Sequence, residues 1–230
     1  MKKQLIIILM GLSHFSTFGQ SSKETVNSKV IFTDDFKEKL DPKNWTVELD
    51  SLPNSSVFVK DKKIVLDTKG GVTVWLNKKL SGDIKISYKR KVIVDDGQND
   101  RLSDLNQFWL AEDPNDRKLF TRNGKFEEYD SLRLFYVGMG GNYNSTTRFR
   151  KYDGNGQKII LHEKNEKEYL LRANQTYQIT IIIKHGETSF WVDNERYFIY
   201  SDHKLPQSGY FGFRSTFSRQ EIWDFDIEKL

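Results

Sequence analysis

The chain has 230 residues, with 36 Lys and Arg against 32 Asp and Glu and a net charge of +4. Lys2 and Lys3 sit in an apolar leader; without them the excess is only +2, too small to suggest a nucleic-acid partner. There is no cysteine, which excludes a disulfide framework, thiolate chemistry and lipid attachment through a cysteine.

In chain order, Lys2 and Lys3 come first, then an apolar stretch at residues 5–12, then the small and turn residues Ser16-Thr17-Phe18-Gly19. This order predicts a signal peptide over residues 1–19, cleaved before Gln20. A membrane anchor would need about 18–20 apolar residues, and the stretch is shorter. Export is therefore expected, to the periplasm or to the medium. Residues 20–29 are polar and read as a flexible leader. Residues 30–230 suit one undivided all-β domain; no later run is apolar enough to span a membrane, and a monomer is expected.

From Val30 onward, short β-like runs alternate with turn signals. The runs are 57–59, 63–67, 72–76, 84–94, 106–111, 132–137, 146–151, 158–162, 177–184, 189–192, 196–200, 210–215 and 222–228. Lys69-Gly70-Gly71, Asp153-Gly154-Asn155-Gly156, His185-Gly186 and Asp193-Asn194-Glu195 separate them. Many short strands without a 3.6-residue period predict an antiparallel two-sheet sandwich or jelly roll. The polar stretches 95–103 and 112–130 are expected as loops at the mouth of a site.

The period of two then divides each strand into faces. Ile84, Ile86, Tyr88, Val92 and Val94 oppose Lys85, Ser87, Lys89 and Lys91. Phe108 and Leu110 oppose Gln107 and Trp109; Leu132 and Leu134 oppose Arg133. Phe149 opposes Arg148 and Arg150, and Phe211 and Phe213 oppose Tyr210 and Arg214. With the apolar faces buried, the outward surface would carry Lys89, Gln107, Trp109, Arg133, Arg148, Arg150 and Arg214. Arginine forks recognise carboxylate or sulfate by paired hydrogen bonds, and Trp109 would offer a flat face to a sugar ring. The same side chains also suit an ordinary solvated sheet face.

Ile31-Phe32-Thr33-Asp34-Asp35-Phe36, with Leu40-Asp41 and Asn44-Trp45, resembles the first strand of concanavalin-A-like jelly rolls that act on carbohydrates. Gly209-Tyr210-Phe211-Gly212-Phe213-Arg214-Ser215-Thr216 and Trp223-Asp224-Phe225-Asp226-Ile227 resemble their last two strands. The block from Arg133-Leu134-Phe135-Tyr136-Val137-Gly138 through Gly141-Asn142-Tyr143-Asn144 to Arg148-Phe149-Arg150 is similar to a group of secreted Bacteroidetes proteins. Those are met among genes for degrading pectin, ulvan and other uronate-rich glycans. The resemblance implies a jelly roll with a carbohydrate cleft on its concave sheet.

Retaining hydrolases of that fold carry two spaced carboxylates on one strand, a pattern absent here; Glu221 and Glu128 are weak candidates for a hydrolytic pair. Elimination suits the residue inventory better. Removing the proton α to a uronate carboxylate requires that carboxylate to be neutralised, and a Tyr or His to take the proton. Arg133, Arg148 and Arg150 are the candidate neutralisers, Asn142 and Asn144 further donors, Tyr143 the first candidate base, and Tyr136 and His162 reserves. The expectation is a carbon–oxygen lyase on an anionic oligo- or polysaccharide, by β-elimination or dehydration. A non-catalytic carbohydrate-binding module remains the alternative. No catalytic metal or cofactor set is visible; a structural Ca²⁺ held by Asp34, Asp35, Asp224 or Asp226 is compatible with jelly rolls.

Overall fold

The computed structural model describes residues 28–115 and 119–230. The predicted signal peptide and all but the last two residues of the leader lie outside the described residues. Described strands are β1 (Lys29–Asp34), β2 (Trp45–Leu49), β3 (Ser56–Lys60), β4 (Lys63–Leu76), β5 (Leu80–Ser81), β6 (Ile84–Ile93) and β7 (Leu105–Glu112). They continue with β8 (Arg133–Gly140), β9 (Thr146–Asp153), β10 (Lys158–Lys164), β11 (Thr176–Lys184), β12 (Glu187–Val192), β13 (Glu195–Ser201) and β14 (Ser208–Lys229). These strands pair antiparallel throughout.

Two long strands make the sandwich. The runs 63–67 and 72–76, expected as separate strands around a Gly-Gly turn, are one strand, β4; likewise 210–215 and 222–228 are one strand, β14. These two pair with each other from Gly212↔Trp75 to Ile222↔Ile64, with a register shift between Thr216 and Ser218. Past that bulge, both pass from one sheet into the other, because a bulge bends and twists a strand without ending its pairing. The first sheet is ordered β10-β9-β8-β7-β14-β4-β2 and the second β3-β4-β14-β6-β11-β12-β13. The predicted jelly-roll sandwich is the observed fold.

The main core fills the space between the sheets. Trp109, Phe135 and Phe149 of the first sheet face Ile86, Tyr88, Ile181, Phe190 and Phe198 of the second, all buried. Trp109 stacks on Phe135, Phe149 and Phe190 at centroid distances of 6.0, 5.6 and 6.3 Å. Its indole N–H donates to Thr188 Oγ1 at 2.8 Å. Gln107 is equally buried, accepting from Tyr88 Oη at 2.8 Å and donating to the Val137 carbonyl at 2.7 Å.

Both residues were expected on the outer surface, and Phe108, expected in the main core, faces outward in their place; Leu110 stays in the main core as expected, at a register irregularity with φ 49°. A second apolar layer explains the exchange. On the outer side of the first sheet, Trp75, Phe108, Leu134, Tyr136 and Tyr152 form a cluster covered by Leu119, Tyr129 and Leu132. Both faces of β7 are therefore buried, and alternation alone cannot say which one faces the partner sheet.

The covering segment 119–132 is the polar insertion, folded back onto the sheet. Glu48, 3% exposed, anchors it by accepting from Trp75 Nε1 at 2.7 Å, Tyr129 Oη at 2.9 Å and the Arg122 backbone N–H at 2.7 Å. Arg214, expected as a ligand-facing arginine, lies on the predicted side of β14 but is wholly buried beneath this segment. It donates to the Gly124 carbonyl and lies 5.0 Å from the Tyr129 ring centroid. A Cβ at Gly71 would come within 2.1 Å of the Gly124 carbonyl oxygen, so only glycine lets the segment lie this close.

Candidate functional site

The covering segment leaves the other half of the first sheet's outer face open. Antiparallel register aligns Arg148, Gly138 and Asn106 in one row across β9, β8 and β7, and Arg150, Tyr136 and Phe108 in the next. Residues aligned this way point to the same side of a sheet. In the first row Gly138 contributes no side chain, which leaves a depression between Arg148 and Asn106. A Cβ there would meet Tyr136 Oη at 2.4 Å and Asn106 Oδ1 at 2.8 Å. The result is a cleft of about 380 Å³, with Arg101, Asp104, Glu127 and Tyr143 at its rim.

The charges around this cleft are unequally partnered. Arg148 Nε donates to Glu163 at 2.6 Å, and that bond holds the Glu163 carboxyl below its ordinary pKa. Arg101 pairs with Asp104 and donates to the Phe217 and Thr216 carbonyls, which ties the cleft rim to the β14 crossover. Arg150 has no carboxylate partner among the described residues; its guanidinium carbon lies 5.4 Å from the Tyr136 ring centroid. Asn106, 2% exposed, has an Oδ1 with no hydrogen-bond partner.

Burial raises the pKa of Asp104, against the opposing pull of Arg101. It also raises that of Tyr136, helped by the nearby Asp104 charge and opposed by Arg150. Tyr136, 4% exposed, thus keeps its proton at any physiological pH.

The turn after β8 carries three successive residues in the left-handed region, Asn142 (φ 51°), Tyr143 (φ 57°) and Asn144 (φ 60°). Asparagine tolerates that region; a bulky aromatic residue there is strained. Tyr143 is 83% exposed, with its ring 5.4 Å from the Arg101 guanidinium carbon. What holds the turn is Asn144, whose amide donates to the Leu171 carbonyl and accepts from its N–H, both at 2.9 Å.

The structure therefore gathers Tyr136, Asn142, Tyr143, Arg148 and Arg150 around one cleft. It does not bring in the others. Asn144 spends both amide atoms on Leu171. Arg133 starts β8, five residues from Gly138, and pairs with Glu112 at 2.7 Å. His162 is exposed in a neighbouring groove with Glu166 and Tyr197. Gln107 and Trp109 are core, and Lys89 pairs with Asp224 on the second sheet. Of the weak hydrolytic candidates, Glu221 pairs with Lys63 and Lys91 on that same sheet, and Glu128 accepts from the Asn123 N–H.

Asp34 accepts from Trp45 Nε1, and Asp34, Asp35, Asp224 and Asp226 do not gather: among the described residues no three His, Cys, Asp or Glu converge as metal ligands. Sequence reasoning missed Arg101, Asp104 and Asn106. Their one signal is position, at the end of a polar loop entering a strand.

A family model described as a domain of unknown function, DUF6250, matches residues 66–225. The chain belongs to this family. The match covers the cleft strands β7 to β9 and most of both crossover strands. No curated protein matches the sequence.

Among solved structures, a Bacillus subtilis protein of unknown function with a galectin-like fold superposes with a TM-score of 0.70 at 15% identity, over 87% of this chain and 96% of that one. An endo-β-1,3-glucanase from Pyrococcus furiosus gives 0.62 at 9% identity, covering 88% and 94%. The carbohydrate-binding module CBM66 from B. subtilis gives 0.56 at 12% identity, covering 81% and 96%. At these identities the likeness is one of fold.

Proposed function

We propose that this protein acts on acidic carbohydrate, with Arg150 receiving the carboxylate of a uronate unit. The observation that carries this reading is the Arg150 guanidinium, held over Tyr136 without a carboxylate partner and open to the cleft. A planar fork of that kind suits a carboxylate, and Asn106 borders the same cleft. The carbohydrate part of the reading draws on the CBM66 module and the glucanase, whose names describe binding and cleaving sugars on this fold. The signal-like leader supports export, where such glycans are met.

The chemistry these groups suit is β-elimination. Arg150 would neutralise the uronate carboxylate and lower the cost of the carbanion-like intermediate. Tyr143, which borders the cleft from its left-handed turn, would take the α-proton as base. As the carbon–oxygen bond breaks, its electrons leave with the oxygen and the double bond forms towards the carboxylate. Tyr136, kept protonated by burial, can supply a proton to the departing oxygen. Pectic, ulvan and alginate oligosaccharides should then give products absorbing in the ultraviolet enoate band; no such product from any of them rejects elimination.

One observation favours binding alone as the second reading: among the described residues no histidine lines the cleft to serve as a base near neutral pH. Affinity for the same oligosaccharides without turnover, unchanged in Tyr143→Phe, decides for it.

A further inference from the structure

The aromatic and the cationic equipment of the molecule lie on different sheets. Of five tryptophans, Trp45, Trp75 and Trp109 are buried, and none lines the Arg150 cleft. The two that are partly exposed, Trp191 and Trp223, both lie on the outer face of the second sheet. Trp223 follows the buried Ile222 on β14, and Trp191 follows the buried Phe190 on β12. With β6 and β11 between them, they are three strand spacings apart, about 14 Å.

Small polar residues floor the space beside Trp191. Register aligns Ser87, Thr180 and Trp191 across β6, β11 and β12, and they border a groove of about 380 Å³ with Gln178 and Asn194. The Trp191 indole is fixed by a 2.9 Å hydrogen bond to Ser189 Oγ, with the Arg196 guanidinium 5.6 Å from its ring.

The lysines nearest the two indoles are already paired. Lys85 pairs with Glu228 at 2.6 Å, Lys89 with Asp224 at 2.9 Å, and Lys63 and Lys91 with Glu221 at 2.9 and 3.1 Å. A surface of indole faces, hydroxyls and amides whose nearest lysines are internally paired matches an uncharged ligand with alternating apolar and hydroxyl faces.

We infer that the outer face of the second sheet is an accessory binding surface for an uncharged pyranose chain, laid across β14, β6, β11 and β12 from Trp223 to Trp191. It is separate from the Arg150 cleft and does not depend on that cleft's function. Such a surface would hold a neutral stretch of a glycan while the cleft engages an acidic unit.

Isothermal titration with laminarihexaose, cellohexaose, mannohexaose and xylohexaose tests this on the whole protein. At least one should bind, and Trp191→Ala and Trp223→Ala should each weaken that binding about tenfold or more. Trp191→Tyr should restore most of it, because a stacking face remains, and Arg150→Ala should leave it unchanged. Matching thermal melts of the variants exclude unfolding as the cause; should an alanine variant melt early, the tyrosine variant and chemical-shift changes at the Trp191 and Trp223 indole N–H groups of the wild type decide instead. Binding of none of the four sugars, or binding that survives both alanine variants or is lost in Arg150→Ala, overturns the inference. Uronate binding, measured in parallel, reports on the cleft separately.

Discussion

Arg150 holds its guanidinium carbon 5.4 Å from the ring centroid of Tyr136, the residue directly across from it on β8. The ring supports the cation, and no carboxylate among the described residues forms an ion pair with it, whereas Arg148 two positions earlier is spent on Glu163. Arg150 is thus the cleft cation free for a ligand.

Replacing Arg150 tests that assignment. Arg150→Ala should cost about 1.5–3 kcal/mol of uronate affinity, the value of a charge-assisted hydrogen bond. Arg150→Lys should cost less while still losing the planar fork. Titration calorimetry reads the affinity, and the melting curves should barely move because the side chain faces the cleft. An Arg150→Ala protein that unfolds but binds uronates normally would make this arginine structural.

Gly138 is the floor of the cleft, and adding one methyl group should close it. In Gly138→Ala the new Cβ would crowd Tyr136 Oη and Asn106 Oδ1. Overpacking of this kind costs about 1–3 kcal/mol of stability, and displacement of Tyr136 should weaken uronate binding as well. Denaturant melts and titration on the same variant should show both losses; full affinity in Gly138→Ala would place the ligand elsewhere.

Glu48 makes stability depend on pH. Burial raises its pKa in the folded state, above the unfolded value. Between those two values the folded protein holds a proton that the unfolded chain has released. Its contribution is therefore fully present below the unfolded pKa and is lost as pH rises through the folded one, with a slope of up to about 1.4 kcal/mol per pH unit. Glu48→Gln should flatten that fall in urea melts taken from pH 4 to pH 7. An identical pH profile in the variant would mean that Glu48 titrates normally.

Arg90 is a wholly buried cation that donates to neutral oxygens, among them Gln220 Oε1 at 2.7 Å and the carbonyls of Asn106 at 2.5 Å and Arg214 at 2.8 Å. Burial lowers its pKa to about 10, so it stays charged at neutral pH. Arg90→Met would leave three acceptors unpaired and should destabilise the fold by about 3–5 kcal/mol. Because two of those acceptors belong to β7 and β14 beside the cleft, affinity should fall too, even at temperatures where the variant is folded. A melt within about 0.5 kcal/mol of wild type would show that water replaces the guanidinium.

Much of the sandwich was legible because its signals are local. The period of two at residues 84–94 and 146–151 placed Ile84, Ile86, Tyr88 and Phe149 in the core and Arg148 and Arg150 outside it, as observed. Around Arg148 and Arg150, and along residues 84–94, only one face is covered, so alternation carries the answer.

What only the tertiary structure decided are the matters set by distant contacts. Glu48 and Arg214 clamp segment 119–132 onto the first sheet, bury Phe108 as deeply as Trp109, and so turn Gln107 and Trp109 inward against the sequence expectation. Glu112 captures Arg133, Leu171 captures Asn144, and Glu163 captures Arg148, each from a residue at least fifteen positions away. Strand pattern tells a residue which of two faces it takes; it does not tell which face another part of the chain will cover, or which charge will find a partner. Among the described residues Arg150 forms no ion pair and Trp191 and Trp223 stay partly exposed, and that is a property of the whole packing.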